Sequence, residues 1–259
     1  MAVASPALDA ALRRDRLVTL VALACACVAA WTYVCVGAGM PDMAMDPAMM
    51  AMPMPTPWTA GYFALMTAMW AVMMVAMMLP GAAPMVLTYA ALQRHHRQPA
   101  PPHAATALFT LGYLVVWTGF ALLAAVLQWR LDAMALLSPA MASANAVLAG
   151  GVLMVAGAYQ FSAPKSRCLV RCRSPVEFLT RHHRSGPLAL GLRHGLYCLG
   201  CCWALMLLLF VGGVMNLAWV GAIALFVLIE KTVPAGPWLG RATGAGLVLW
   251  GGWTLAAAM

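Results

Sequence analysis

Trp58-Thr-Ala-Gly-Tyr-Phe-Ala-Leu-Met66-Thr-Ala-Met69-Trp70-Ala-Val-Met73-Met74-Val-Ala-Met77-Met78-Leu-Pro80 runs for 23 residues without a charge. At 1.5 Å per residue, a helix of that length covers the roughly 30 Å hydrocarbon core of a bilayer. The rest of the chain agrees. Of 259 residues, 64% are hydrophobic and 8% charged, with a mean hydropathy of +0.86. Soluble domains carry about 25% charged residues, so an ordinary soluble domain is excluded. Six further apolar runs lie near 17–37, 104–128, 140–161, 195–214, 216–233 and 242–258. The expected fold class is all-α: a polytopic transmembrane helix bundle of about seven spans, forming one integral membrane domain over 1–259.

Charge gives this bundle a direction. The chain holds 15 Lys+Arg against 7 Asp+Glu. With the N-terminus cytoplasmic, Arg13, Arg14, Arg16, Arg94, Arg97, Lys165, Arg167, Arg171, Arg173, Arg181, Arg184, Arg193, Lys231 and Arg241 all fall inside, and Arg130 alone falls outside. Basic residues near span ends stay cytoplasmic, so the expectation is N-in, C-out, in a bacterial inner (cytoplasmic) membrane. The partners that follow are the lipid bilayer itself and anionic lipid headgroups at the basic face. The positive excess is a membrane edge and not a nucleic-acid footprint. Small residues such as Gly150, Gly151, Gly157, Gly240, Gly244 and Gly246 allow helices to approach closely in lipid.

Sulfur is the unusual component, with 21 Met and 8 Cys. An outer loop over 38–57 contains seven Met among residues 40–54, with Asp42 and Asp46 as its only charges. Soft thioethers displayed on a Pro-broken segment suit capture of Cu(I); the bland alternative is a compositionally biased linker. Along the second span, offsets of three and four place Met66, Met69, Met73 and Met77 on one helical face, with Met74 and Met78 beside them. Met also fills irregular gaps between helices, so this stripe reads either as packing or as a path for a soft ion. Pro80, Gly81 and Pro84 follow, and the expectation is a broken or kinked helix beside a cavity.

A third constellation belongs to a cytoplasmic basic loop, 163–194, and the span that leaves it. Cys168 and Cys172 are four residues apart, while His194, Cys198, Cys201 and Cys202 share a helix face at offsets of three and four. Thiols at a cytoplasmic face stay reduced, and clustered reduced Cys with a nearby His reads as a metal site more readily than as a disulfide. Such thiolates suit Cu(I), with Zn and an Fe–S cluster as alternatives. Cys25, Cys27 and Cys35 read as small apolar fillers. Glu230-Lys231 is an ionisable pair embedded in an apolar run. It reads as a structural ion pair, mutual or between Glu230 and an Arg of the 163–194 loop, or as a gate for protons or cations, and Lys231 could also snorkel.

These residues resemble a bacterial family of uncharacterised integral membrane proteins predicted to bind metal. The likeness rests on Trp70-Ala-Val-Met73-Met74-Val-Ala-Met77-Met78-Leu-Pro80, Lys165-x-x-Cys168-Leu-x-x-Cys172, His194-Gly-Leu-Tyr197-Cys198-Leu-Gly200-Cys201-Cys202-Trp203 and Glu230-Lys231, and it spans about residues 60–250. It implies a metal-binding membrane protein without naming the metal. The expected function is handling of a soft ion, Cu(I) before others, in binding, delivery or transport, with a metallochaperone or a partner membrane subunit as protein partner. A membrane thiol-redox or electron-transfer protein is the first alternative, since Cys198-x-x-Cys201 has dithiol spacing. An accessory subunit with a structural metal site is the second. No Walker motif is present, and no catalytic residue is expected.

Overall fold

The computed structural model describes residues 6–36, 58–95, 102–138, 141–182 and 185–258. The Met-rich stretch 40–54 lies outside the described residues. Among the described residues ten helices follow one another: α1 Pro6–Cys35, α2 Ala60–His95, α3 Pro102–Ala133, α4 Ala146–Gln160, α5 Ala163–Arg173, α6 Pro175–Arg181, α7 Pro187–Leu207, α8 Leu209–Gly212, α9 Leu217–Thr232 and α10 Gly236–Ala256. The all-helical class holds among these residues. Among the described residues, four segments are long and apolar enough to cross a membrane: Arg16–Cys35, Ala60–Gln93, His103–Ala133 and Pro187–Gly212. A fifth is reached only if α4 and α5, bent by 63° at their junction, count as one span. Seven crossings are thus not reached by helix length and composition. Helix α9 has 16 residues, and α10 is rich in glycine.

The segment read as a basic loop, 163–194, is largely helical. Its punctuation explains why. The Ser162 hydroxyl caps α5 by accepting from Lys165 N, and Pro stands in the first turn of α5, α6 and α7, where its missing N–H costs nothing. Helix α5 is amphipathic, burying Lys165 and Leu169, and packs on α7.

Pro80 and Pro84 do not break α2, which continues through both. Pro80 has no N–H to give the Ala76 carbonyl four residues back. Trp31 Nε1 from α1 donates to that carbonyl at 3.2 Å, so a neighbouring helix supplies the lost bond. Replacing Trp31 by Phe should therefore cost about 1–3 kcal/mol, the penalty for a buried acceptor left unpaired. The unfolding midpoint of the purified protein checks it, and an unchanged midpoint would show the carbonyl is satisfied otherwise.

Helix contacts are set by glycine. A Cβ on Gly157 would stand 2.7 Å from Gly244 O, and one on Gly251 2.8 Å from Gly150 O, so α4 and α10 touch backbone to backbone. Gly151 and Gly246, expected to serve likewise, face open space. A second such contact joins α3 and α7, where Gly112 meets Leu188 O and Gly191 meets Phe109 O. Around these crossings lies one core containing Met66, Met69, Met73, Met74, Met77 and Met78 from α2, Tyr113 and Trp117 from α3, and Cys198, Cys201 and Cys202 from α7.

Candidate metal centre

Helix α7 brings Cys198 and Cys202 to one face through their i, i+4 spacing. Both are buried, as is Cys201. The Cys201 and Cys202 thiols turn back along the helix and donate to Cys198 O at 3.0 and 2.9 Å. From α2, Met78 Sδ approaches Cys202 Sγ at 3.9 Å. From α3, the Tyr113 hydroxyl lies 3.1 Å from Cys198 Sγ and donates to Met78 O, also at 3.1 Å. From α5, Cys172 packs against the same core. From α9, Lys231 Nζ stands 3.0 Å from Cys198 Sγ and 3.7 Å from Met78 Sδ. Five helices therefore converge on a buried patch of sulfur.

The other expected site residues are distributed around it. Cys168 packs over Gly200, where an added Cβ would meet its Sγ at 2.8 Å, and no metal-like convergence joins it to Cys198. His194 lies one turn before Cys198, boxed by Phe109, Tyr113 and Phe178 with ring centroids 5.4–6.0 Å away. Neither of its ring nitrogens has a hydrogen-bond partner. A buried imidazole with both nitrogens unpaired is costly, and a neutral ring nitrogen is a soft-metal ligand.

Met66 lies along α2 from Met78, where the Gln128 amide donates to Met66 Sδ at 3.7 Å and to Met141 Sδ at 3.1 Å while accepting from Trp70 Nε1 at 2.7 Å. Met69, Met73 and Met77 are buried in the core shared with the thiols. Among the described residues, no group of three His, Cys, Asp or Glu side chains is arranged as a closed metal cage. Two thiols and a thioether form the arrangement instead. That set suits a soft ion satisfied by few ligands and is poor for zinc, whose structural sites use four N or S donors.

Glu230 and Lys231 do not pair with each other, because adjacent positions on a helix point apart. The Glu230 carboxylate takes Lys165 Nζ at 2.7 Å. Arg173 braces the same turn, donating to Glu230 O at 3.2 Å and Val233 O at 2.7 Å. Lys231 does not snorkel: it is buried and directed at sulfur. The Cys of α7 and the end of the Met stripe lie near one another, while sequence reading gives Met78 only a flanking place and does not single out Tyr113. The Tyr113 signal is a phenol in a largely apolar run, since a buried phenol needs a partner.

The PpoB2 family, described as a copper chaperone, matches the chain over residues 67–254. No curated protein and no solved structure matches it.

Proposed function

From the premise that the chain belongs to the PpoB2 copper chaperone family, we propose that it carries Cu(I) within a membrane on Cys198, Cys202 and Met78. Cys172 and His194 serve as adjoining donors at the two margins of that site, and Cys201 as a reserve thiol. The observation that carries this reading is the convergence of Met78 Sδ, Cys202 Sγ and Cys198 Sγ from two helices in a buried core. Soft thiolate and thioether donors select Cu(I) over harder divalent ions.

The membrane setting is part of the proposal. Four long apolar helices, and large apolar side chains left on the outside such as Leu249 and Trp253 at 75% and 76% exposure, fit a lipid surface better than water. Seven crossings with the N-terminus in a bacterial cytoplasm is the arrangement that keeps fourteen of the fifteen basic residues on one side. Arg167, Arg171 and Arg193 would then meet anionic headgroups. In this arrangement the outer Met-rich stretch 40–54 collects the ion, Met66, Met69, Met73 and Met77 line its descent, and a soluble acceptor takes it at the thiol end.

Detergent-purified protein kept reduced and titrated with Cu(I) against an optical chelator tests this. The wild type should retain one Cu(I) per chain in competition. A Cys198→Ser, Cys202→Ser double variant should lose it, while Cys168→Ser keeps it. Equal capacity in the double variant would overturn the site. A Cys172–Cys198 disulfide formed without any copper uptake would move the protein to thiol exchange.

A further inference from the structure

A cation already stands at the sulfur atoms, and it belongs to the chain. Lys231 Nζ touches Cys198 Sγ at 3.0 Å and Met78 Sδ at 3.7 Å, two of the three sulfurs assigned to the ion. Its stem reaches them along Gly81 of α2, where an added Cβ would come within 3.1 Å of Lys231 Cδ. The neighbouring carboxylate, Glu230, is taken by Lys165, and no carboxylate among the described residues pairs with Lys231. A buried ammonium facing thiol, thioether and the Tyr113 phenol in place of a carboxylate is an expensive arrangement if it only fills space.

We propose that Lys231 is a built-in competitor for the cargo. Its ammonium holds the place of Cu(I) between Cys198 and Met78, withdraws as the ion enters and returns as it leaves. This rests on the copper reading of the same sulfurs. With Cys198 as the thiolate beside the ammonium, Cu(I) takes the ammonium's place, the Cys202 proton leaves to solvent as its sulfur joins the ion, and the withdrawn ammonium balances the second thiolate, so the exchange leaves no uncompensated charge in a low-dielectric core. The amine keeps its proton throughout. Because the competitor is tethered, its effective concentration at the sulfurs is high, and the site binds less tightly but surrenders its ion faster. A carrier that must deliver needs both properties. Gly81 is the lane that lets the side chain lie there.

Lys231→Leu removes the charge without adding a sulfur ligand. In the chelator titration it should bind Cu(I) at least tenfold more tightly than the wild type and release it to an acceptor chelator correspondingly more slowly. Lys231→Gln should tighten binding as well. A lysine with a packing role only would give unchanged or weaker binding together with a lower melting temperature, and that result in folded variants overturns the proposal. The unmodified chain supplies a second measurement. Loading with Ag(I), a redox-inert soft cation, should raise acylation of Lys231 by a small neutral reagent, read by mass spectrometry, and unaltered reactivity also overturns it. Wild type that takes up neither Cu(I) nor Ag(I) defeats the copper reading and this inference together. Wild type that binds while its variants fail to tighten defeats the competitor alone.

Discussion

Glu230→Gln should destabilise the protein by about 3–5 kcal/mol, the cost of breaking a buried ion pair from one side. The Lys165–Glu230 pair is 2.7 Å long with side chains 3% and 2% exposed, so water cannot rescue the partner left behind. Surface pairs behave otherwise and contribute about 0–1 kcal/mol, as expected of Arg181–Glu177 at 69% and 55% exposure. Lys165→Met should be at least as damaging, since it leaves a carboxylate wedged against α10, where a Cβ on Gly240 would overlap Glu230 Oε1. The pair itself is a different quantity. A Lys165→Met, Glu230→Leu double variant removes both charges and should recover most of the loss, because a well-packed apolar replacement of a buried pair is often neutral or better. Unfolding in detergent of the wild type, both singles and the double closes the cycle. Single variants within about 1 kcal/mol of wild type would mean that the pair is solvated. The same proteins separate a structural role from a gate. If the pair only clamps α5 to α9, the double variant should bind and release Cu(I) as the wild type does, because Lys231 and the sulfurs are untouched.

How much of this was legible beforehand varies with the kind of signal. Helical content and the Cys face of α7 follow from local rules: apolar runs, and offsets of three and four. The helices hidden in 163–194 had their signals too, in Ser162 before Pro164 and in Pro175 and Pro187, but the polarity of the segment outweighed them. Helix length and composition give fewer spans among the described residues than the apolar runs do, for a physical reason. Composition marks apolar residues that belong to caps and turns, so runs of about twenty shrink to helices such as α4 with 15 residues and α9 with 16. Pro80 misleads because its cost is local while its remedy, the Trp31 indole, comes from another helix, 45 residues from the Ala76 carbonyl it serves. The site divides in the same way. Cys198 and Cys202 could be placed by spacing. That Tyr113, Met78 and Lys231 meet them depends on which helices cross and at what depth, and no offset within one helix encodes that. The Glu230-Lys231 motif shows it most directly. Read as neighbours the two residues invite pairing, yet helix geometry sends one to Lys165 and the other to the thiols.

The crossing that decides this depth carries the last prediction. A Cβ on Gly191 would fall 1.9 Å from Phe109 O and 2.8 Å from Phe109 C, both backbone atoms, and Gly112 is pressed as closely against Leu188 O at 2.3 Å. Real carbon atoms do not approach so near, and backbone cannot rotate away as a side-chain tip can. Gly191→Ala should therefore force α3 and α7 apart by more than an ångström and destabilise the protein by about 3 kcal/mol or more, the upper range for overpacking. Gly151→Ala is the matched control: the same chemical change on a helix face where nothing lies within 4 Å. There the gain in helix propensity should make the substitution neutral or stabilising by up to about 1 kcal/mol. A difference of that sign cannot come from glycine flexibility, which the two substitutions share. The consequence for the site is specific. Tyr113 stands four residues from Phe109 and Cys198 seven from Gly191, so widening this crossing should pull the phenol from its 3.1 Å contact with Cys198 Sγ. Folded Gly191→Ala protein should accordingly hold Cu(I) more weakly than wild type, although no ligand has been changed. Equal melting temperature and equal Cu(I) affinity in Gly191→Ala and Gly151→Ala would show that the α3–α7 contact does not set the position of the thiols.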